Sequence, residues 1–219
     1  MEIKAIIFDL DGTLINSIED IADANNRMLE EFAYPVHPLK DYVGWIGNGA
    51  RTLVEASLPP EKRNRDTLHY LKVYEEFYRE NISVKTKLYP NIAKVLDLIS
   101  EYDIPMAINT NKPQHLTECV VKHYLSNWCF NSVIGHSNHF PHKPNPKGAL
   151  HFAKQINCPP KNVLFVGDSL VDMQTANAAG MIPLGVSWGY GQPSVGAYGV
   201  NMIDQPEELL NYINVKIQI

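Results

Sequence analysis

The chain has 219 residues, of which 45% are hydrophobic, and a formal net charge of -5 at pH 7. This length and apolar content are sufficient for a globular fold with a buried core. The acidic balance, with no cluster of Lys and Arg interleaved with aromatic residues, argues against binding to nucleic acid or to an anionic membrane surface. No stretch reaches the ~20 apolar residues that cross a bilayer, and the cysteines form no CxxC pair. We therefore expect a soluble, cytoplasmic protein.

The first part of the chain predicts one strand followed by helices. The apolar run 5–8 predicts a buried strand, and Ser17 with Asp20 three residues later is typical of a capping box that begins a helix. The spacing of apolar residues predicts further helices at 51–58 and 67–79. No strand is predicted between Asn16 and Val84. This stretch therefore indicates a helical insertion.

From residue 90 onward, the predicted helices and strands alternate. The helices are predicted at 92–99, 113–124, 147–156, 171–179 and 206–212, and the strands at 106–109, 132–135, 163–166 and 183–186. Alternation of this kind is typical of a doubly wound parallel sheet. We predict an α/β fold with a catalytic core formed by residues 1–15 and 86–219. A helical cap domain, residues 16–85, is predicted to be inserted after the first strand.

Polar residues follow four of the predicted strands. Asp9 and Asp11 follow the first strand, residues 109–111 the second, and Asp168 the fourth, while Lys143 lies in the loop after the third. Ligands of such sheets bind outside the carboxyl ends of the strands. Two carboxylates separated by a single residue need a cation to offset their repulsion, and oxygen ligands suit Mg2+. We therefore predict a magnesium site formed by Asp9, Asp11 and Asp168.

Four stretches resemble, in order, the four motifs of the haloacid dehalogenase superfamily: DLDGT, AINTNKP, HKPNP and VGDSLVDM. The resemblance spans nearly the whole chain and implies a Rossmann-like core with a cap. It also implies that Asp9 is a nucleophile that forms an aspartyl-phosphate and that Asp11 is the general acid and base. The remaining roles implied are phosphate binding by Thr110, Asn111 and Lys143, metal ligation by Asp168, and support by Thr13 and Asp172.

The chemistry of these residue types agrees with the implied mechanism. Phosphoryl transfer needs an in-line nucleophile, neutralisation of charge on the phosphoryl oxygens, and a proton for the leaving group. The Asp9 carboxylate needs no deprotonation at neutral pH. Asp11 must carry a proton when the ester arrives and must accept one from water afterwards. Two alternatives remain open: Asp172 is also placed to stabilise a helix dipole, and Thr110 or Asn111 to cap the next helix.

Two stretches resemble phosphoglycolate phosphatases more narrowly: DYVGWIGNGARTLVEASL at 41–58 and GVSWGYG at 185–191. This resemblance implies 2-phosphoglycolate as the leading candidate substrate. The glycine-rich segment of the cap offers candidate specificity residues, namely Trp45, Gly47, Asn48 and Arg51. Packing inside the cap is the alternative for Trp45, and solvent exposure for Arg51. Asn16, where this subfamily usually has Asp, and the loop GHSNHFPHK at 135–143 depart from the pattern and bear on cap closure or substrate choice.

These observations predict a magnesium-dependent phosphatase that acts on a small phosphorylated metabolite through an aspartyl-phosphate. One alternative is a phosphosugar mutase of the same superfamily, and another is a phosphatase for a different small metabolite. A third is a non-enzymatic receiver domain, which also combines a phosphorylatable Asp with Thr and Lys on a parallel sheet. Asp11 and the large insertion count against the receiver domain. The sequence carries no signal for the oligomeric state.

Overall fold

The computed structural model describes residues 2–63 and 67–213, apart from the side chains of 192–194. Eight strands lie in this part of the chain: β1 (Ala5–Phe8), β2 (Ile15–Asn16), β3 (Lys87–Leu88), β4 (Met106–Pro113), β5 (Ser132–His136), β6 (Val163–Gly167), β7 (Ile182–Val186) and β8 (Asn201–Ile203). Six of them form a parallel sheet in the order β5-β4-β1-β6-β7-β8, and β2 and β3 form a separate antiparallel pair.

The α-helices lie before, between and after the strands. In chain order they are α1 (Ile18–Glu31), α2 (Leu39–Tyr42), α3 (Ala50–Ser57), α4 (Leu68–Glu80), α5 (Ile92–Glu101), α6 (Gln114–Tyr124), α7 (Lys147–Gln155), α8 (Leu170–Ala179) and α9 (Gln192–Ala197). Short 3-10 helices lie at Pro60–Lys62, Pro160–Asn162 and Pro206–Asn211. No helix in the described ranges is long and apolar enough to span a membrane.

Strand β1 is central to the sheet and buried on both faces. Ile6 and Phe8 contribute to one apolar cluster, whereas Ala5 and Ile7 contribute to a second. Successive residues of a strand point to opposite faces, so an apolar run of this kind is expected where helices cover both sides. The next residue, Asp9, then stands at the carboxyl end of the central strand, next to the end of β6, whereas β4 continues to Pro113.

Helices α1 to α4 lie between β2 and β3, and α1 packs against α4. The two chain segments that enter and leave this helical insertion are tied together by the β2–β3 pair. They are also tied by Asp20, a buried carboxylate that accepts hydrogen bonds from the backbone N of Lys85 (2.9 Å) and of Thr86 (2.7 Å) and from Thr86 Oγ1 (2.6 Å). The insertion is therefore anchored to the core at its base.

The predicted parallel α/β class of fold is confirmed. The predicted capping box of α1 is wrong, because Asp20 accepts from residues 85–86 and Ser17 Oγ donates to Asp11 instead. The last predicted helix is a 3-10 helix that ends at Asn211. Several short elements were not predicted, namely the strands β2, β3 and β8, the helices α2 and α9, and the 3-10 helices at Pro60–Lys62 and Pro160–Asn162. The division into core and cap domains stays a prediction.

Candidate active site

Lys143 lies at the centre of a buried group of acids. Its Nζ donates to Asp9 Oδ1 at 2.7 Å and to Asp172 Oδ1 at 2.5 Å, and all three side chains are at least nine-tenths buried. Burial alone would lower the pKa of Lys143. The charges of Asp172 and Asp9 have the opposite effect and outweigh burial, so the pKa of Lys143 lies above its usual value. Lys143 is therefore a fixed positive charge beside Asp9.

Asp172 is held from its other side by the start of α8. Its Oδ2 accepts hydrogen bonds from the backbone N of Ser169 at 3.0 Å and from Ser169 Oγ at 2.5 Å. This is a capping box at the N-terminus of α8. Asp172 therefore stabilises the helix and orients Lys143 at the same time, so the two alternatives for this residue are compatible.

Asp168 follows β6 and is fixed mainly by backbone donors. Its Oδ2 accepts from the backbone N of Tyr190 at 2.6 Å and of Gly191 at 3.3 Å, and Thr13 Oγ1 donates weakly to Oδ1 at 3.5 Å. Gly12 approaches closely with a φ of +88°, and a Cβ there would lie 2.3 Å from Asp168 Oδ2. Glycine is thus required both for this backbone conformation and for the approach.

The acids Asp9, Asp168 and Asp172 offer oxygens that lie within 4.8 Å of one another. Burial, followed by the charge of Asp172, raises the pKa of Asp9 to about 7. Burial, followed by the charges of Asp9 and Asp172, raises the pKa of Asp168 to about 8. These shifts show that Lys143 alone does not offset the buried negative charge. The donor set consists of hard carboxylate oxygens, which fits Mg2+.

The Asp11 carboxylate is turned away from that acidic group. Ser17 Oγ donates to its Oδ1 at 2.5 Å, and Lys112 Nζ lies 3.0 Å from its Oδ2. Within the described residues, the group that could hold a metal includes Asp9 and Asp168 but not Asp11. Asp11 instead contacts Ser17, at the start of the helical insertion, and its role as a metal ligand stays a prediction.

Lys112 is a site residue to which sequence reasoning assigned no role. Its side chain is only 5% exposed, and its Nζ donates to Tyr78 OH of α4 at 2.9 Å besides contacting Asp11. The Nζ also lies 4.5 Å from the centre of the Tyr78 ring. The stretch AINTNKP contains this lysine two residues after Thr110, which was the one available signal.

Thr110 and Asn111, which were predicted to follow a strand ending at Asn109, lie inside β4, which continues to Pro113, and both are buried. Thr110 Oγ1 accepts from the backbone N of Lys112 at 3.3 Å. Asn111 Oδ1 accepts from the backbone N of Lys143 at 2.7 Å, and its Nδ2 donates to the Gly47 carbonyl at 2.8 Å. Asn111 thus positions Lys143 and holds the glycine-rich loop, residues 45–49, through Gly47. Whether either residue also binds phosphate stays a prediction.

A cavity lies between these residues and the helical insertion. Asp9, Asp11, Thr110, Lys112 and Lys143 form its polar part, and the insertion adds a largely apolar wall formed by Ile21, Ile46, Gly47, Gly49, Ala50, Leu53 and Tyr74. The glycine-rich loop therefore closes over the candidate nucleophile.

The predicted specificity residues differ in where they lie. Gly47 lines the cavity, whereas Asn48 is exposed. The Trp45 ring packs edge-on against Tyr42 at 5.1 Å and His37 at 5.0 Å, inside the insertion. Arg51 points outward and donates to Glu55 Oε1 at 3.0 Å. Of this set, only Gly47 contributes to the cavity wall in the described structure.

Tyr190 connects the acidic group to the base of the insertion. Its backbone N holds Asp168, and its hydroxyl donates to Asn16 Oδ1 at 2.9 Å. The same hydroxyl accepts from the backbone N of Ser17 at 2.9 Å and of Ile18 at 3.2 Å. The neutral amide at position 16 is therefore a hydrogen-bond acceptor for Tyr190. Sequence reasoning assigned no role to Tyr190, because the partners of its hydroxyl lie more than 170 positions away.

The loop before Lys143 carries two stacked imidazoles. The rings of His136 and His142 are 3.5 Å apart and nearly parallel. Burial, followed by the charge of His136, lowers the pKa of His142 to about 4. A Cβ at Gly49 would lie 2.5 Å from His142 Cε1, so this loop and the glycine-rich loop are in close contact. His139 packs against Phe140.

The arrangement of a strand-end aspartate, a buried lysine and a second acidic loop on a parallel sheet defines a class of hydrolase. The model of the haloacid dehalogenase-like hydrolase family matches residues 6–186, and the chain belongs to this family. The predictions of the family and of the enzyme class, a phosphoric monoester hydrolase, are confirmed.

The chain is similar to curated proteins named phosphoglycolate phosphatase. It is 33% identical to the one from Mannheimia succiniciproducens and 34% identical to one from Haemophilus influenzae, in each case over 196 residues that cover 86% of this chain and 88% of the relative. The crystal structure of a predicted phosphoglycolate phosphatase from Haemophilus somnus superposes with a TM-score of 0.87 at 27% identity, covering 96% of this chain and 98% of that one.

Proposed function

We propose that this protein is a magnesium-dependent phosphatase that hydrolyses 2-phosphoglycolate through an aspartyl-phosphate on Asp9. The observation that carries the proposal is the Lys143 ammonium, 2.7 Å from Asp9 Oδ1 at the floor of a cavity that the helical insertion covers. The names of the curated relatives support the choice of substrate. The small polar part of the cavity agrees with a small ester.

Asp9 is the nucleophile of the proposed first step. Its carboxylate attacks phosphorus in line with the departing ester oxygen, and the P–O bond to the leaving group breaks. Lys143 holds Asp9 in a single orientation and neutralises charge on the phosphoryl oxygens. Because Asp172 and Ser169 fix Lys143 in turn, these charges do not have to reorganise during the reaction.

Asp11 is the proposed proton carrier. It gives a proton to the leaving alkoxide and afterwards takes one from the water that attacks the phosphorus of the aspartyl-phosphate. In the structure, both of its oxygens have donors as neighbours, Ser17 Oγ and Lys112 Nζ, an arrangement that suits the carboxylate form needed in the second step. The first step requires that one of these contacts be exchanged for the ester oxygen.

Asp9 and Asp168 are the residues proposed to hold Mg2+, with Asp172 next to them. When bound, the ion supplies positive charge that polarises the phosphoryl group and offsets the repulsion between the acids. Asp168 is suited to this role because Tyr190 and Gly191 fix it through backbone hydrogen bonds. The chain itself thus presents the ligands rigidly.

Residues 16–85 are proposed to act as a cap that closes over the substrate. Their contribution is to exclude water and to strengthen the charge interactions on the phosphate. The cap contacts the core beside the cavity at two places: Gly49 lies close to His142, and the Gly47 carbonyl accepts a hydrogen bond from Asn111.

The test is a phosphate-release screen over small phosphate monoesters, with Mg2+ and with chelator. We expect Mg2+-dependent release that is fastest with 2-phosphoglycolate and that needs no added sugar bisphosphate. A requirement for a sugar bisphosphate would favour the phosphosugar mutase, and the absence of turnover with every ester would refute the proposal. Asp9→Asn serves as the inactive control.

A further inference from the structure

We propose that Lys112 binds a carboxylate on the leaving group of the substrate and so selects acidic esters over neutral ones. This inference rests on the proposed function, since it assigns the substrate class of the same site. It would make Lys112 a specificity-determining residue.

The first argument is the supply of positive charge. Among the described residues that line the cavity, Lys112 and Lys143 are the two cations. Lys143 is committed to Asp9 and Asp172 and addresses the phosphoryl group. Arg51, the cap cation considered from the sequence, lies outside the lining and pairs with Glu55. A second anionic group on the substrate would therefore meet Lys112.

The second argument is the donor count of the Lys112 ammonium. An ammonium has three N–H groups, and within residues 2–63 and 67–213 its polar partners are the Asp11 carboxylate, an ion pair at 3.0 Å, and Tyr78 OH at 2.9 Å. Among these residues, one N–H group is left for a ligand. The Tyr78 hydroxyl also holds the ammonium in place, since Tyr78 is fully buried in α4.

The third argument is the chemistry of the surrounding wall. Most of the described side chains that the insertion presents to the cavity, such as Ile21, Ile46 and Leu53, offer no hydrogen bond to a charged group, and Tyr74 is the one among them with a polar atom, a neutral hydroxyl. A carboxylate enclosed there without a partner would be strongly disfavoured by desolvation. Lys112 is in contact with the proposed proton carrier, so a group bound to it belongs to the leaving-group side of the reacting phosphorus.

The Lys112 ammonium then contacts Asp11 and the carboxylate of the substrate at the same time, through different N–H groups. This sharing accounts for a buried lysine that a simple phosphate site, already served by Lys143, does not need.

The experiment compares binding of two non-hydrolysable phosphonates to the Mg2+-loaded protein by calorimetry. 3-Phosphonopropionate has the shape and charge of 2-phosphoglycolate, and propylphosphonate has a methyl in place of the carboxylate. Because a hydrogen bond to a charged group contributes about 1.5 to 3 kcal/mol, we expect the wild type to prefer the acidic ligand by roughly 10- to 150-fold. Lys112→Gln should reduce this ratio to near one, while Lys112→Arg should retain most of it.

The controls separate a binding role from a structural one. If Lys112 only supports Asp11 and Tyr78, Lys112→Gln weakens both phosphonates in parallel and leaves the ratio unchanged, which would overturn the proposal. A ratio near one in the wild type would overturn it without any variant, should Lys112→Gln not fold. Lys122→Met, which removes an exposed charge from α6, should leave the ratio unchanged.

The same variants assayed with 2-phosphoglycolate and ethyl phosphate give the kinetic counterpart. We expect kcat/KM of Lys112→Gln to fall by a larger factor for the acidic ester than for the neutral one, whereas loss of the Asp11 contact alone would lower both by the same factor. A wild type that hydrolyses neither ester would refute the proposed function, while the phosphonate ratio would still decide the role of Lys112.

Discussion

The substitution Asp168→Asn is expected to stabilise the protein without metal and to abolish its stabilisation by Mg2+. Asp168 is 3% exposed, and burial together with the charges of Asp9 and Asp172 raises its pKa from 3.8 to about 8. Between these two pH values the folded protein holds more protons than the unfolded chain. The free energy of unfolding therefore falls as the pH rises through this window. The amide removes this buried charge and nearly keeps the shape of the side chain.

The size of the effect follows from the pKa shift. One pKa unit corresponds to about 1.4 kcal/mol, and part of the gain is lost because an amide accepts the hydrogen bonds from Tyr190 N and Gly191 N less well than a carboxylate. For Asp168→Asn in chelator near pH 8, we expect the free energy of unfolding to exceed that of the wild type by about 2 to 4 kcal/mol. For a chain of this size, that gain raises Tm by roughly 4 to 16 °C.

The assay is thermal unfolding followed by circular dichroism, with chelator and with Mg2+, at about pH 7 and pH 8.5. The wild type should gain stability from Mg2+, by about 2.7 kcal/mol when the ion is at 100 times its Kd, and more at the higher pH because protons compete less. Asp168→Asn should show little Mg2+ effect. Equal stabilisation of wild type and variant by Mg2+ would refute the placement of the ion, and a variant less stable than wild type in chelator would refute the electrostatic argument.

Three further predictions concern the proton carrier, the histidine pair and the Tyr190 contacts at the base of the insertion. Asp11→Asn should reduce turnover of alkyl phosphates by roughly 100- to 10,000-fold, and that of para-nitrophenyl phosphate far less because its leaving group needs no proton; equal losses in steady-state assays would argue against general-acid catalysis. The pKa of His142 is lowered from 6.5 to about 4, so between these pH values the unfolded chain binds more protons than the folded protein, and stability should fall as the pH drops from 6.5 to 4. His142→Gln should flatten the dependence of Tm on pH in this range, and an unchanged slope would contradict the lowered pKa. Tyr190→Phe removes the acceptor of the Ser17 and Ile18 amides and should cost about 1 to 3 kcal/mol in urea unfolding; a change near zero would mean that water replaces the hydroxyl.

The core and its strand-end residues could be predicted because they follow from local pattern. The apolar run of β1 and the alternation after residue 90 predict a parallel sheet, and the geometry of such sheets brings the residues after each strand together. The sequence therefore predicts Asp9, Lys143 and Asp168 as neighbours in one site, and they do lie near one another. The family motifs added their expected roles.

The parts that sequence reasoning missed depend on contacts between distant residues. Ser17 and Asp20 have the spacing of a capping box, but the Ser17 hydroxyl donates to Asp11 and the Asp20 carboxylate accepts from residues 85–86 instead. A lysine is usually solvated, so beyond its place in the stretch AINTNKP the sequence does not show that Lys112 is buried between Tyr78 and Asp11. Elements of three or four residues, such as β8 and α2, are too short to show a period.

The central claim is that Asp9 forms the covalent intermediate, and chemical quenching tests it most directly. The Mg2+-loaded protein is mixed with 2-phosphoglycolate that carries a radioactive phosphoryl group, quenched with acid within the first turnover, digested and analysed by mass spectrometry. We predict that the label lies on the peptide that contains Asp9 and is absent from Asp9→Asn. Label on another residue, or turnover by Asp9→Asn at a rate close to that of the wild type, would contradict the account.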